Sequence, residues 1–322
     1  MTHRVPNRVV VTSRSFSQSS ELVAALRSRV PHVTLNEAGR VLRGEELCEF
    51  LGGHDAAIVA LEPLTDAILQ RLPELRVVSK YGVGLDSLDL EAVEAADVCL
   101  GWTPGVNRHS VAELSVAAMI VLLHRVPEAV NDVRSGQWRQ WRGRELRGAT
   151  VGIIGCGNVG QEVVKILAPF GCRVLAHDIH NYADFYWQHG IESVELGFLM
   201  EQSDVVTVHL PRDATTVGLL DESMLGRMRS GAVLVNMARG GIIDEQALLA
   251  RLDSDTLAGA ALDVLSEEPP QDRRLIEHVR TLVTPHIGGS TQEAVHAMGM
   301  AAIEGLFTAE TIADWRAGGR LP

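Results

Sequence analysis

Three ionisable side chains in the second half of the chain are suited to acid–base chemistry at a carbon–oxygen bond. Arg239, Glu268 and His286 stand in polar or glycine-rich segments, each a short distance after an apolar run. Histidine can pass a proton near neutral pH, because its unperturbed pKa is about 6.5. A neighbouring carboxylate would stabilise the imidazolium, and a guanidinium can hold a substrate carboxylate through paired hydrogen bonds. We predict that these three residues are catalytic in the oxidation of a secondary alcohol or in the reverse reduction.

A glycine-rich segment lies upstream of these three residues. Residues 155–160 read GCGNVG, which matches the pattern G-x-G-x-x-G, and they lie between an apolar run and a helical run. In that context the pattern is typical of a dinucleotide-binding turn. Gly155 would permit the tight turn, Gly157 the close approach of a pyrophosphate, and Gly160 the packing of helix against strand. The phosphates would lie at the helix N-terminus, where free N–H groups favour anions.

An acidic residue at the end of the next predicted strand favours one dinucleotide over the other. Asp178 follows Gly160 by 18 positions. A carboxylate there can accept hydrogen bonds from the ribose hydroxyls and repel a 2′-phosphate. No arginine follows closely. The sequence therefore predicts NAD as the cofactor rather than NADP.

Short β-branched runs alternate with helical patterns along most of the chain and predict an α/β fold with two doubly wound parallel sheets in series. The carboxyl ends of the strands in such sheets face the ligand crevice, so the polar segments that follow the strands should gather there. The strands are expected at residues 9–12, 57–60, 77–79, 98–100, 150–154, 173–176, 205–208, 232–235, 257–260 and 282–284.

Three further segments connect or follow these units. Ser110 to His124 is apolar and predicts a well-buried helix. Residues 125–147 are polar and rich in arginine, with Trp138 and Trp141, and are either an arm that packs against a second subunit or a surface loop. A last helix is expected over about residues 292–312, where it could cross back to the first unit.

Composition narrows the classes of protein that fit. The length of 322 residues suggests two domains, and the net charge of −12 disfavours nucleic acid as a partner. We expect no membrane span and no signal peptide, and therefore a cytoplasmic protein, because no apolar run is long enough. We expect neither a metal site nor disulfides, because the spacing of the four cysteines suggests neither. These are Cys48, Cys99, Cys156 and Cys172.

Further motifs resemble those of a known family. They are residues 81–86 (YGVGLD), 103–105 (TPG), 111–114 (VAEL) and 209–211 (HLP), the last followed by Thr216. With the segments above, they make the chain similar to the D-2-hydroxyacid dehydrogenase family over roughly residues 57–294, and within it to the D-3-phosphoglycerate dehydrogenases. The chain ends at Pro322, so we expect the short form without the appended regulatory domain.

The resemblance implies a role for each site residue. Arg239 would bind the substrate carboxylate, Glu268 would support His286, and His286 would be the general acid and base. Asp263 would contact the nicotinamide amide. The residues implied for NAD binding are Gly155, Gly157, Asn158, Val159, Gly160, Asp178, His209, Pro211, Thr216, Ala238, Asp263 and Gly288. Those implied for substrate binding are Lys80, Tyr81, Val83 and Gly84, together with Arg239.

The resemblance also implies a domain arrangement. Residues 1–101 would form a flavodoxin-like substrate domain, 102–287 a Rossmann NAD-binding domain, and 288–322 a C-terminal helix that returns to the substrate domain. An active-site cleft would lie between the two domains. The arm with Trp138 and Trp141 would form the interface of a homodimer.

The sequence leaves the substrate open. Lys80 is one of two lysines, beside Lys165, in a chain that otherwise uses arginine, and it could direct a point charge at an anion. Phosphoglycerate dehydrogenases often carry a basic residue after the strand that ends here at Ala60, and residues 60–62 (ALE) lack it. The candidates are a dehydrogenase for a small anionic 2-hydroxy or 2-oxo acid, including phosphorylated or phosphonate-bearing ones, a glyoxylate or hydroxypyruvate reductase, and an NAD-sensing protein similar to corepressors.

Overall fold

Two parallel sheets organise the computed structural model, which describes residues 6–321. One unit contains residues 6–107 and 292–321, and the other contains Arg108–Thr291. The strands of the first unit are β1 (Arg8–Val11), β2 (His32–Leu35), β3 (Ala56–Val59), β4 (Val77–Lys80) and β5 (Cys99–Gly101). Those of the second are β6 (Thr150–Ile154), β7 (Arg173–His177), β8 (Glu192–Ser193), β9 (Val205–Val208), β10 (Val233–Asn236), β11 (Gly259–Leu262) and β12 (Thr281–Val283).

Helices connect the strands within each unit. In chain order they are α1 (Arg14–Gln18), α2 (Ser20–Arg27), α3 (Gly44–Leu51), α4 (Asp66–Leu69), α5 (Leu90–Ala95), α6 (Arg108–Leu123), α7 (Val126–Arg134), α8 (Asn158–Leu167), α9 (Ala183–His189), α10 (Leu196–Gln202), α11 (Glu222–Gly226), α12 (Glu245–Asp253), α13 (Arg274–Glu277), α14 (Gln292–Thr308) and α15 (Ile312–Ala317). A 3₁₀ turn, Ala168–Phe170, follows α8.

The first sheet has the order β2-β1-β3-β4-β5, and each neighbouring pair is parallel. This is the flavodoxin-like order, in which the connections diverge between β1 and β3. Helix α14 packs on this sheet, where Ser79 Oγ donates to the carbonyl of Ala302 at 2.6 Å. A Cβ at Gly101 would collide with the Gly305 carbonyl, so glycine allows this close approach.

The second sheet has the order β12-β11-β10-β9-β6-β7-β8, again with parallel pairs throughout. This is the Rossmann order with one strand added beyond β11, and the connections diverge between β6 and β9. The prediction of two doubly wound parallel sheets, one flavodoxin-like and one Rossmann, is confirmed.

The strand predictions failed for two of the four edge strands. The predicted set lacks β2 and β8. The residues of these two strands are partly or fully exposed, so neither strand has the continuous apolar run of a buried parallel strand. The strand predicted at residues 257–260 lies two residues later, as β11. The helix predicted to continue to Ile312 ends at Thr308, and a short helix, α15, follows.

The predicted buried helix is α6, and the segment after it is partly helical. Residues 126–134 form α7, so the description of residues 125–147 as a surface loop was wrong for its first part. The ring of Trp141 contacts the guanidinium groups of Arg125 and Arg139, which lie 4.1 and 3.8 Å from the ring centroid. Trp138, in contrast, is 87% exposed.

Across residues 6–321 no single helix is long and apolar enough to span a membrane. Helices α6 and α7 reach the required length only when they are counted together, and they are bent by 65° relative to each other.

Candidate active site and cofactor site

The glycine-rich turn joins β6 to α8 at the point where the second sheet's connections diverge. Gly155 has a φ of 89°, and Gly160 lies where a Cβ would collide with the Gly155 carbonyl. A Cβ at Gly157 would meet only the hydroxyl of Tyr182, at 4.0 Å, and no side chain caps the start of α8. The exposed side chain of Asn158 begins the helix. Free backbone N–H groups beside an open glycine suit a pyrophosphate, so this turn fits a dinucleotide.

Asp178 follows directly on β7, beside the glycine-rich turn. Its Oδ2 accepts the backbone N–H of Cys156 at 2.6 Å, and its Oδ1 accepts that of His180 at 2.8 Å. Two hydrogen bonds to backbone groups fix the carboxylate while leaving it half-buried. The position is the one from which a carboxylate can meet the ribose hydroxyls of NAD.

The segment after β9 carries His209, Pro211 and Thr216. A Cβ at Gly155 would lie 2.7 Å from the His209 carbonyl oxygen, so this segment lies against the glycine-rich turn. Burial lowers the pKa of His209 to about 3, and the imidazole is therefore neutral. Its Nε2 lies 2.9 Å from Thr207 Oγ1, while Nδ1 is buried with no hydrogen bond to the described residues. Thr216 Oγ1 donates to the Pro211 carbonyl at 2.7 Å and closes the loop.

The loop after β10 positions Arg239. The amide of Asn236 accepts the N–H of Ala238 at 3.1 Å and donates to the carbonyl of Arg239 at 2.9 Å. The next residue, Gly240, passes so close to the segment after β11 that a Cβ would collide with the Leu265 carbonyl. Arg239 is half-buried, and its Nη1 donates to the Ala238 carbonyl at 2.7 Å.

Asp263, directly after β11, anchors the segment that carries His286. It is 2% exposed. Its Oδ1 accepts the Thr284 hydroxyl at 2.6 Å and the Ile287 N–H at 2.8 Å, and its Oδ2 accepts the Gly288 N–H at 2.7 Å. A buried carboxylate with three such bonds holds the loop after β12 in one conformation.

His286 adopts a left-handed backbone conformation, with a φ of 55°, at the edge of the sheet. Its Nδ1 lies 3.0 Å from Oε2 of Glu268. The hydrogen bond with Glu268 raises the pKa of His286, against the opposing effect of burial. Burial would raise the pKa of Glu268, but hydrogen bonds from His286 and from the Leu265 N–H outweigh it and lower that pKa. An ionised Glu268 requires a donor at Nδ1, which leaves Nε2 to exchange a proton with a substrate.

The predicted substrate residues of the first unit lie at the carboxyl edge of its own sheet. Lys80 ends β4, is 5% exposed, and donates from Nζ to the carbonyl of Ala60. The hydroxyl of Tyr81 accepts from Ser15 Oγ at 3.2 Å, and burial raises the Tyr81 pKa. In the loop that contains Val83 and Gly84, the Val83 carbonyl accepts the indole N–H of Trp102 at 3.0 Å.

Within the second unit the predicted residues follow neighbouring strands: the glycine-rich turn follows β6, Asp178 follows β7, and His209 follows β9. Arg239 follows β10, and His286 follows β12. Sequence reasoning missed Asn236 and Thr284, the two polar residues that support this arrangement. The signal was available, since Asn236 ends β10 and Thr284 directly follows β12, but their partners could not be assigned without the register.

The geometry defines a dinucleotide-binding α/β protein with a histidine–glutamate pair. Residues 116–288 match the family model described as D-isomer specific 2-hydroxyacid dehydrogenase, NAD binding domain. A D-3-phosphoglycerate dehydrogenase of Archaeoglobus fulgidus is 37% identical over 264 residues, which are 81% of this chain and 50% of that protein.

Solved structures are similar over nearly the whole chain. One is a protein from Thermus thermophilus, 31% identical, with a TM-score of 0.84 over 95% of this chain and 98% of that one. Another is a glyoxylate reductase from Paecilomyes thermophila, 25% identical, with a TM-score of 0.83 over 92% and 93% of the two chains.

The chain belongs to the D-isomer specific 2-hydroxyacid dehydrogenase family, and it contains that family's NAD-binding domain. The resemblance inferred from the motifs is therefore confirmed. So is NAD as the cofactor, which the glycine-rich turn and Asp178 predicted. The chain spans about half the length of the curated relatives it matches.

Proposed function

We propose that this protein is an NAD-dependent D-2-hydroxyacid dehydrogenase that also reduces 2-oxo acids. The observation that carries the proposal is the 3.0 Å contact between His286 Nδ1 and Glu268 Oε2. This contact raises the pKa of His286, which can then donate and accept a proton. His286 lies in an NAD-binding domain, on a segment that the buried carboxylate of Asp263 holds in place.

Each of the three residues takes one task. His286 would donate the proton from Nε2 to the substrate oxygen during reduction and accept it during oxidation. Glu268 would hold the imidazole ring and stabilise its charged form. Arg239 would bind the carboxylate of the substrate with a planar pair of N–H groups. NADH, held by the glycine-rich turn and Asp178, would supply the hydride for the carbonyl carbon.

The substrate class is a small anionic 2-hydroxy or 2-oxo acid, and we propose that Lys80, Tyr81, Val83 and Gly84 help to bind it. The name of the Archaeoglobus fulgidus relative supports a phosphorylated acid or a related phosphonate. The name of the Paecilomyes thermophila structure supports the alternative, a glyoxylate or hydroxypyruvate reductase.

Two further properties belong to the proposal. We propose a cytoplasmic protein, consistent with its cysteines, none of which is paired in a disulfide in the described part of the chain. We also propose a homodimer, supported by the exposed apolar side chains of α7 and Trp138.

The test combines kinetics with cofactor binding. His286→Ala should lower kcat for reduction by about 100- to 10,000-fold, the usual scale for a positioned acid or base. Arg239→Lys should also be damaging, because an ammonium cannot reproduce the planar contact. Both variants should bind NADH like the wild type in a fluorescence titration, since the pyrophosphate and ribose contacts lie elsewhere. If both variants reduce 2-oxo acids like the wild type, the catalytic roles of His286 and Arg239 are excluded. If the wild type binds NADH but reduces no 2-oxo acid, the dehydrogenase is excluded and an NAD-sensing binding protein becomes the better explanation.

A further inference from the structure

Glu62 lies where the connections of the first sheet diverge. Strands β1 and β3 are neighbours there, and ligands of open α/β sheets bind in the crevice at the carboxyl ends of such a strand pair. One carboxylate oxygen, Oε2, bridges the two strand ends. It accepts the hydroxyl of Thr12, which follows β1, at 2.7 Å and the N–H of Ala60, which follows β3, at 2.8 Å.

These two bonds fix the carboxylate of Glu62 without burying it completely. Glu62 is half-buried, and its Oε1 accepts no hydrogen bond from the described residues of its own unit. The same edge carries hydroxyl groups: Ser15 Oγ lies 3.3 Å from Ser13 Oγ and donates to the hydroxyl of Tyr81. A ligand in this crevice would meet one negative charge and several hydroxyl groups.

Lys80 and Arg14, the cations near the ends of β4 and β1, lie against groups of their own unit. Lys80 donates from Nζ to the Ala60 carbonyl and lies 3.5 Å from Ser87 Oγ, and it is more deeply buried than Glu62. The stem of Arg14, two residues after Thr12, passes Gly39 on the β2 side, where a Cβ would lie 3.7 Å from Arg14 Cδ.

We propose that Glu62 determines substrate specificity: it selects 2-oxo acids whose far end donates hydrogen bonds, such as a hydroxyl, and rejects those with a second anionic group. This inference rests on the proposed function and narrows its substrate class. Two like charges a few ångströms apart repel strongly in a crevice of reduced dielectric, and such repulsion is a common source of specificity. A hydroxyl, in contrast, gains a charge-assisted hydrogen bond.

The experiment compares two ligands that differ by one phosphate. Dissociation constants for D-glycerate and 3-phosphoglycerate are measured by calorimetry on the NAD-saturated protein, and kcat/KM is measured for hydroxypyruvate and its 3-phosphate with NADH. The wild type should bind D-glycerate more tightly than 3-phosphoglycerate and should use hydroxypyruvate with a higher kcat/KM than its 3-phosphate. Glu62→Gln keeps a carbonyl oxygen for Thr12 and the Ala60 N–H, and it should shift each ratio toward the phosphorylated ligand by about 10-fold or more. The matched control is Glu49→Gln, which removes an exposed negative charge on α3 and should shift neither ratio.

The outcomes separate this inference from the proposed function. A wild type that prefers 3-phosphoglycerate, or a Glu62→Gln ratio equal to that of the wild type, would overturn the role of Glu62. If Glu62→Gln fails to fold, the preference of the wild type between the phosphorylated and unphosphorylated ligands tests the role of Glu62. A protein that binds D-glycerate in preference to 3-phosphoglycerate but reduces no 2-oxo acid would contradict the proposed function while supporting the selectivity of the crevice. Binding of neither ligand would overturn both.

Discussion

His286 and Glu268 form a hydrogen-bonded pair, with 3.0 Å between Nδ1 and Oε2, although 18 positions separate them. One follows β12 and the other lies in the segment after β11, and these strands are neighbours in the sheet. The pairing moves the two pKa values in opposite directions, up for His286 and down for Glu268. The pair therefore favours the charged form of both groups.

Glu268→Gln should change the pH dependence of the reaction. Without the carboxylate the pKa of His286 falls, because the hydrogen bond with Glu268 is the largest cause of its rise. Reduction needs the imidazolium, so its activity should be lost at lower pH than in the wild type. Oxidation needs the neutral ring, so the acidic limb of its profile should move to lower pH. Profiles of kcat/KM in both directions measure this, and unchanged profiles would show that Glu268 does not act through His286.

Asp263→Asn should loosen the loop that carries His286. An amide offers one accepting oxygen instead of two, so at least one buried N–H or hydroxyl loses its acceptor, at a cost of about 1–3 kcal/mol in the free energy of unfolding. Urea denaturation measures this cost, and hydrogen exchange should report faster exchange at the amides of Ile287 and Gly288. Thr284→Val removes only one of the three bonds and should cost less. An equal loss in both variants would argue against this anchoring role.

Asp178→Ser should relax the choice of cofactor. The carboxylate of Asp178 accepts the Cys156 N–H and therefore lies beside the glycine-rich turn. The negative charge of this carboxylate would repel the 2′-phosphate of NADP. The wild type should therefore use NADH with a higher kcat/KM than NADPH, and the variant should narrow that ratio by about 10-fold or more. The control Glu222→Gln removes an exposed negative charge on α11 and should leave the ratio of kcat/KM for NADH and NADPH unchanged. Equal use of both cofactors by the wild type would contradict the role given to Asp178.

Val133→Asp combined with Trp138→Ala should yield a monomer. Val126, Val130 and Val133 recur at the spacing of one helix face, and all three are at least 38% exposed. Light scattering at micromolar concentration should give the mass of a dimer for the wild type and of a monomer for the double variant. The control variant Trp187→Ala removes from α9 a ring that is 89% exposed, and this variant should remain a dimer. A monomeric wild type would exclude this interface.

The sequence alone determined the elements and the chemical types. The central parallel strands are apolar runs, the cofactor turn is a glycine pattern at one strand end, and the polar residues after the strands are Arg239, Glu268 and His286. These signals are local, because a strand, a tight turn or a helix start depends on neighbouring residues. For that reason the sheets, the turn and the order of the site residues could be predicted, whereas β2 and β8, which lack an apolar run, could not.

Only the tertiary structure decided which polar groups meet. Asp263 reaches residues more than 20 positions away, and Glu62 reaches Thr12 across 50. Lys80, predicted to direct a charge at an anion, donates to the carbonyl of Ala60, 20 positions away. Such contacts depend on strand order and register, which long-range pairing sets, and a hydrogen bond exists only where both groups reach within about 3 Å. No local pattern encodes that distance, so the partners of the buried polar groups became known only with the fold.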